Sequence, residues 1–382
     1  LANQIKRRKQ GKSSGMKKLL RHPSSLIGIL IITASMLVAI LGANIRKDKT
    51  PYANDMLITL ANREPGFEAE VLLISGAQKS EQSFFGNLFF GGKISNEKKI
   101  ALKEWSIKAD QLFYREFSDE GEDFPEQKIS LKEIVGPVEA ARLNAQALEE
   151  KVRSEHVLTY HYYFGTDKFG RDYLSRLMGG TIVSLAVGFI AVVVSLLIGV
   201  TLGALAGYFR GRVDDLIVWF TNVVWSIPTL LMVMAITLML GKGFWQIFVA
   251  VGLTMWVEVA RVTRGQFLSL REKEFVEAGK VLGFGSGRII FKHILPNTLG
   301  PLIVISASNF ATAILIEAGL SFLGIGAQPP MPSWGSMIKE HYGYILLDKA
   351  YLAIFPGLAI SLLVLAFVLL GNGIRDVFDI KR

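Results

Sequence analysis

The sequence predicts an all-α polytopic membrane protein of six transmembrane helices, with an extracytoplasmic α+β insert between helices 1 and 2. Three observations predict it. Hydrophobic residues make up 51% of the 382 residues and charged residues only 20%, against nearer 25% charged in a soluble domain. The apolar residues gather in charge-free runs rather than in short periodic patterns. Between the first two runs lies a stretch of over a hundred residues with an ordinary mixed composition.

Residues 22–45, 177–209, 216–241, 294–316 and 350–374 contain no Lys, Arg, Asp or Glu. Each can cross a hydrocarbon core of about 30 Å, which takes about 20 helical residues. The run 243–257 is shorter, but Glu258 and Arg261 reach interfacial water from its end, which makes it the sixth span. The first run is too long, its basic flank too extended and Ala43-Asn44-Ile45 too poor a cleavage site for a signal peptide; it is expected to remain as an anchor.

Charge distribution orients the bundle. Eight Lys or Arg and no acidic residue fall in residues 1–25, and twenty basic residues fall in the segments on that side of the six spans. The short loops on the other side hold three. This asymmetry predicts both termini in the cytosol. The net charge of +9 is therefore attributed to membrane orientation, with residues 6–21 as a basic arm near anionic lipid, and not to nucleic-acid binding. There are no cysteines, so disulfide and thiolate chemistry are excluded.

The expected organisation is a basic cytosolic arm (1–23), a first span (24–45), an extracytoplasmic insert (46–163) and a five-span core (164–380) containing a cytosolic loop at 261–296. Residues 46–160 carry 16 basic and 20 acidic residues. In the insert, Met56–Leu60, Glu70–Ile74, Leu112–Phe117 and Val157–Tyr163 read as strands. Pro137–Arg153 reads as one helix from the spacing of Val138, Ala141, Ala145 and Leu148. The Gly-rich aromatic stretch Phe84–Gly92 reads as a mobile loop or membrane-touching edge. His156 and His161 are five apart in a strand region, a poor metal spacing, and read as ordinary surface histidines.

In the core, Gly199, Gly203 and Gly207 repeat every four residues and mark a helix–helix interface, within the chain or to a partner. Pro228 should kink the third span. Glu317 lies near the outer end of the fifth span; an intramembrane carboxylate is a functional candidate by default, lining a pathway or making a structural bond. Arg171 and Asp172 should begin an interfacial helix continuing to Met178. Asp214 and Asp215 should pair with Arg210 and Arg212 in a cytosolic turn.

The cytosolic loop carries the function. Phe275, Ala278, Gly279 and Leu282 stand at i, i+3, i+4 and i+7, one apolar stripe on a short helix. Glu274 and Glu277 lie toward its N-terminus and Lys280 toward its C-terminus, as the helix dipole favours. Gly283 is its expected terminator. The small Ala278 and Gly279 would admit another protein close to the backbone. An interfacial lipid anchor would want more large apolar side chains than these, so insertion into a protein groove is preferred.

Glu277-Ala278-Gly279-x3-Gly283-x9-His293-Ile294-Leu295-Pro296 is similar to the "EAA" loop of permeases in binding-protein-dependent ABC importers, departing at Gly279 and His293. Phe164-Gly165-Thr166-Asp167-Lys168-Phe169-Gly170-Arg171-Asp172, with Ser175-Arg176, resembles the signature before the second span of C-type dipeptide, oligopeptide and nickel permeases. Leu320–Gly326, then Pro329-Pro330 and Pro332-Ser333-Trp334-Gly335, resembles that branch's outer loop. The resemblance covers residues 24–45 and 164–380; the insert departs from it.

The resemblance implies a type I ABC importer permease fold in a bacterial cytoplasmic membrane. It implies a substrate-translocating subunit for dipeptides or oligopeptides and no catalysis by this chain. Expected partners are a homologous B-type permease, two cytosolic ATPases and an extracytoplasmic binding protein. ATP and Mg would bind the ATPases and no cofactor would bind here. Gly11-Lys12-Ser13 imitates the end of a phosphate loop, but position 6 is Lys6 rather than glycine, so a solvated arm is preferred. A proton-coupled carrier would want several intramembrane ionisable groups, and a membrane-anchored enzyme would want a polar constellation in the insert; neither pattern is visible.

Overall fold

A computed structural model describes residues 19–20, 22–75, 97–118, 124–241 and 243–379. The expected Phe84–Gly92 loop and the Gly11–Ser13 segment lie outside the described residues. Among the described residues, five helices are long and apolar enough to cross a membrane, or six if one bent pair counts as a single span.

Helix α1 (Pro23–Ile45) leads into the insert, whose described strands are β1 (Phe67–Ile74), β2 (Lys98–Lys108), β3 (Gln111–Glu116), β4 (Gln127–Ser130) and β5 (Val157–Tyr162). They form one sheet in the order β4-β3-β2-β1-β5, with every described pairing antiparallel. Sequence periodicity missed β2 because the register shifts between Leu102 and Glu104, which breaks the two-residue alternation expected of a strand. The short, polar β4 has no apolar signal.

Two secondary-structure expectations in the insert fail. Pro137–Arg153 is not one helix: it divides into Pro137–Ala140, Ala145–Lys151 and a wide turn at Val152–His156. Asn144 starts the second piece by accepting a hydrogen bond from Ala147 N at 2.8 Å, the usual N-cap geometry. Met56–Leu60 is not a strand, since Ile58–Leu60 forms a single tight helical turn. Long-range packing overrides its propensity. Leu57 and Leu60 cover one sheet face with Ala69, Val71, Ala101 and Tyr162, while Leu131, Ile134, Leu148 and Val152 cover the other.

The same turn joins insert to core. Thr166 Oγ1 donates to Leu60 O and accepts from Arg63 N at 2.8 Å. Gly165 (φ +73) and Gly170 (φ +70) have positive φ, and any Cβ there would collide with the carbonyls of Arg63 and Leu57 respectively. Only glycine meets both demands. Lys349 Nζ donates to Asn62 O at 2.9 Å and Tyr351 Oη to Arg63 O at 2.8 Å, fastening the insert to the start of the last span.

Helix α2 (Tyr173–Phe209) is 37 residues long, roughly 55 Å at 1.5 Å per residue, so it extends beyond the bilayer. No separate interfacial helix begins at Arg171; Asp172 instead caps α2 by accepting from Ser175 N at 2.9 Å. After it come α3 (Gly211–Trp225), α4 (Thr229–Leu240), α5 (Phe244–Arg271), α6 (Glu274–Val281), α7 (Leu295–Phe322), α8 (Trp334–His341) and α9 (Tyr351–Asp379). The bend expected at Pro228 is present: α3 and α4 meet at 88°.

The most extensive helix contact joins α2 to α5. A Cβ on Gly199 would lie 2.5 Å from Val259 Cβ and 2.6 Å from Trp256 O; on Gly203, 2.7 Å from Thr263 Cβ; on Gly207, 2.6 Å from Phe267 Cβ. The four-residue repeat thus faces α5 of the same chain. In lipid this closeness matters because helix association draws on packing rather than on expulsion of water.

Three predictions follow for these glycines. Gly203→Val should lower the melting temperature of the solubilised protein, because overpacking against backbone costs at least about 1–3 kcal/mol. Gly265→Ala, which has open space around it, should leave melting unchanged or slightly raised. Gly170→Ala should release residues 57–64 from the core and make the insert junction cleavable by limited proteolysis, while β1–β5 stay folded.

Candidate functional site: a short helix held by its own chain

Helix α6 has Glu274 and Glu277 in its first turn and Lys280 in its last, matching the dipole. It ends as glycine dictates. Gly283 takes φ +74, Gly283 N donates to Lys280 O at 2.9 Å and Phe284 N to Gly279 O at 3.0 Å, which is the Schellman pattern. Phe284 folds back over Gly279, where an added Cβ would sit 3.4 Å from the Phe284 ring. His293 stacks on Phe284 with ring centroids 5.6 Å apart, and the Arg288 guanidinium lies 4.0 Å from the Phe284 centroid. His293 therefore has a local packing role.

The expected apolar stripe is rotated. Val276 and Gly279 are the buried residues of α6, while Phe275, Ala278 and Leu282 are exposed, together with Glu274, Glu277, Gly283 and Val281. Gly279 thus faces its own chain rather than an incoming protein. Spacing alone missed Val276, whose branched side chain completes an apolar cluster with Phe267, Ala204, Tyr208, Ile289, Ile290 and Ile294. Phe267 belongs to α5 and touches the position that Gly207 leaves open on α2. Helix α6 is therefore seated directly on the end of the glycine seam, with Leu282 69% and Val281 87% exposed.

Charged groups brace the same end. Arg264 makes a bidentate pair with Asp214, Nε to Oδ1 at 2.6 Å and Nη2 to Oδ2 at 2.7 Å, and Arg210 pairs with Glu272. This corrects the expectation that Asp214 pairs with Arg210 or Arg212: the partner lies on α5, 50 residues away. Bidentate geometry is specific to guanidinium and carboxylate, and it ties the start of α3 to α5 just before α6.

Glu317 is buried at 1% exposure within α7. Ser321 Oγ donates to Glu317 Oε1 at 2.7 Å and accepts from Ala327 N at 3.1 Å, so Glu317 braces the turn after α7. At the start of α2, Asp167 accepts from Arg171 Nε at 2.6 Å and lies 3.6 Å from Arg176 Nε. Arg171 also reaches Asn54 Oδ1 at 3.0 Å and Glu340 Oε2 at 3.3 Å. The motif before α2 is thus a buried ionic knot joining insert, α2 and α8. His156 is buried, with Nδ1 2.7 Å from Leu73 O, not a surface residue as expected; His161 is exposed beside Glu68. No metal-binding group occurs among the described residues.

Val276→Asp should destabilise the solubilised chain strongly, since an unpaired carboxylate would enter an apolar cluster. Leu282→Glu should change stability by no more than about 0.5 kcal/mol, as for an ordinary surface substitution. Thermal unfolding of the two variants side by side measures the difference.

The comparisons with known proteins agree with this architecture. Residues 199–382 match the family "Binding-protein-dependent transport system inner membrane component". A dipeptide transport system permease protein, DppC, of Alkalihalophilus pseudofirmus is 43% identical over 220 residues, 58% of this chain and 72% of that protein. A glutathione transport system permease, GsiD, of Pectobacterium atrosepticum is 40% identical over 58% of this chain and 73% of its own length. An oligopeptide permease, OppC, of Bacillus subtilis is 38% identical over 58% and 72%. A chain of the inward-facing MetNI methionine ABC transporter aligns with 54% of this chain and 96% of its own at 19% identity and a TM-score of 0.43, a likeness too low to argue from. All three relatives align over 220 residues of this chain. The chain is a multi-pass inner-membrane component and not an enzyme, and it belongs to the binding-protein-dependent transport inner-membrane family as a C-type permease of the peptide ABC importers.

Proposed function

We propose that this chain forms half of the translocation pathway of an ATP-driven importer of dipeptides or oligopeptides, and that α6 is where a cytosolic ATPase pushes. The observation that carries this reading is the division of α6 into two faces. Val276 and Gly279 lock it onto Phe267 and Ile289, while Phe275, Ala278 and Leu282 stand exposed beside Glu277. A helix that only needed to be stable would not leave three apolar residues on one side in solvent. A short amphipathic helix offering such anchors suits a protein groove.

On this reading both termini and α6 are cytosolic, with the insert outside. A homologous B-type permease completes the pathway, two ATPases bind ATP and Mg, and a binding protein delivers the peptide. Nucleotide-driven closure of the ATPases moves α6, and the bundle responds as a two-state body whose states bind the partners differently. Glu274, Phe275, Glu277, Ala278 and Leu282 form the docking face. Gly279 and Gly283 shape it from within, through inward packing and the left-handed terminus. Glu317 acts on the pathway only indirectly, by holding the turn that leads to α8.

Glu277→Lys should reduce peptide uptake by about tenfold or more, a coupling loss of about 1.4 kcal/mol or greater, with the permease still inserted and the ATPases still expressed. Uptake of a labelled peptide, alongside co-purification of the ATPase, tests this. Unchanged uptake contradicts the docking role.

A further inference from the structure

We propose that His341 is an acid-sensitive latch: neutral and buried, it keeps α8 closed against α2 and the insert junction, and its protonation opens that junction. The proposal rests on packing and charge, and stands or falls separately from the transport reading.

The imidazole sits where a second proton finds no acceptor. His341 ends α8 and is 1% exposed. Its Nδ1 donates to Met337 O, one helical turn back, at 2.8 Å, which leaves Nε2 as the lone acceptor of a neutral ring. Among the described residues, Nε2 has no hydrogen-bond partner. The Tyr173 ring stands edge-on at 5.7 Å and the Tyr344 ring at 5.8 Å. Tyr173 is fully buried, and its hydroxyl donates to Leu352 O. An imidazolium here would be a buried charge with an unsatisfied N–H.

The neighbouring charges are already balanced. Asp167 and Glu340 face Arg171 and Arg176 in the knot between insert, α2 and α8, and Lys168 adds a positive charge. From α9 comes Tyr351, whose hydroxyl donates to Arg63 O. Glu317 of α7 is bonded to Ser321, and Lys339 of α8 points at Gly324. Each of these carboxylates has its partner. Burial holds the His341 imidazole below its ordinary value, outweighing the Met337 carbonyl, Asp167 and Glu340, which favour the cation.

The sign follows from proton linkage. The opened chain takes up this proton at about pH 6.5, the closed pocket only at lower pH. Closure is complete above that value and weakens as pH falls below it, because the open form binds the proton more tightly. A charged ring moves toward water and takes the end of α8 away from Tyr173. Glu340 then leaves Arg171, which also holds Asn54, while Arg176 holds Ala53 O. On the proposed orientation this junction lies outside the cytosol, so the medium on that side sets the latch.

Hydrogen exchange of the purified full chain, corrected for the intrinsic pH dependence of exchange, tests the latch. The amides to follow bond across the junction, as Asn62 N does to Asp167 O at 2.9 Å and Thr166 N to Arg63 O at 3.1 Å. Their protection should fall by about tenfold or more between about pH 7.5 and pH 5, while β1–β3 stay protected. His341→Asn, whose amide can still donate to the Met337 carbonyl, and His341→Phe, which keeps a ring against Tyr173, should lose about twofold or less over the same range. A fall as large in either variant, or no fall in the unaltered chain, overturns the latch. Either result leaves the transport reading untouched, since no uptake enters the measurement.

Discussion

Backbone-to-backbone contact between α2 and α5 is the constraint from which the rest of the core takes its shape. Hydrocarbon gives helices little reason to associate except close packing, and Gly199, Gly203 and Gly207 bring α5 near enough for its carbonyls to touch α2. The seam ends at Phe267, which is also the floor under α6. A displacement of α6 is therefore a displacement of the two helices that pack most extensively in the molecule. The ion pairs Arg264–Asp214 and Arg210–Glu272 stiffen this corner where glycine cannot, because they lie at the aqueous end.

A second seam gives the insert its place. Both faces of its sheet are covered, one by its own helices and the other by the turn that runs against Gly165 and Gly170. The residues that resemble the family signature before α2 thus serve as a socket for chain that the relatives need not share. Asp167 holds two arginines in that socket. Burying such charges is tolerable only when every one is paired, and here Asn54 and Glu340 complete the set. The insert is continuous with the start of α2, with α8 and with the start of α9 rather than a tethered appendage.

Much of this was legible in the sequence because membrane physics is severe. Charge-free runs placed the start of each long helix to within about five residues, although α5 continues to Arg271, well past the charge-free 243–257, and Pro228 announced the bend. The spacing of the glycines announced an interface without saying whose surface it met. What remained hidden depended on distant partners. Met56–Leu60 looks extended locally but is bent by contacts with residues 165–170. Asp214 has arginines beside it in sequence, yet the one that reaches it is Arg264. On α6, periodicity identified the helix, its terminator and three of its outward residues. It misplaced the inward direction because Val276, not the small Gly279, sets the buried face.

On the proposed reading, α6 is a lever seated by one face and gripped by the other. A photo-crosslinking side chain placed at Leu282 in the purified, assembled transporter reads the gripping face directly. It should capture an ATPase subunit, with a yield that changes between nucleotide-free and ATP-bound states. Capture of lipid or nothing in every state would contradict the account.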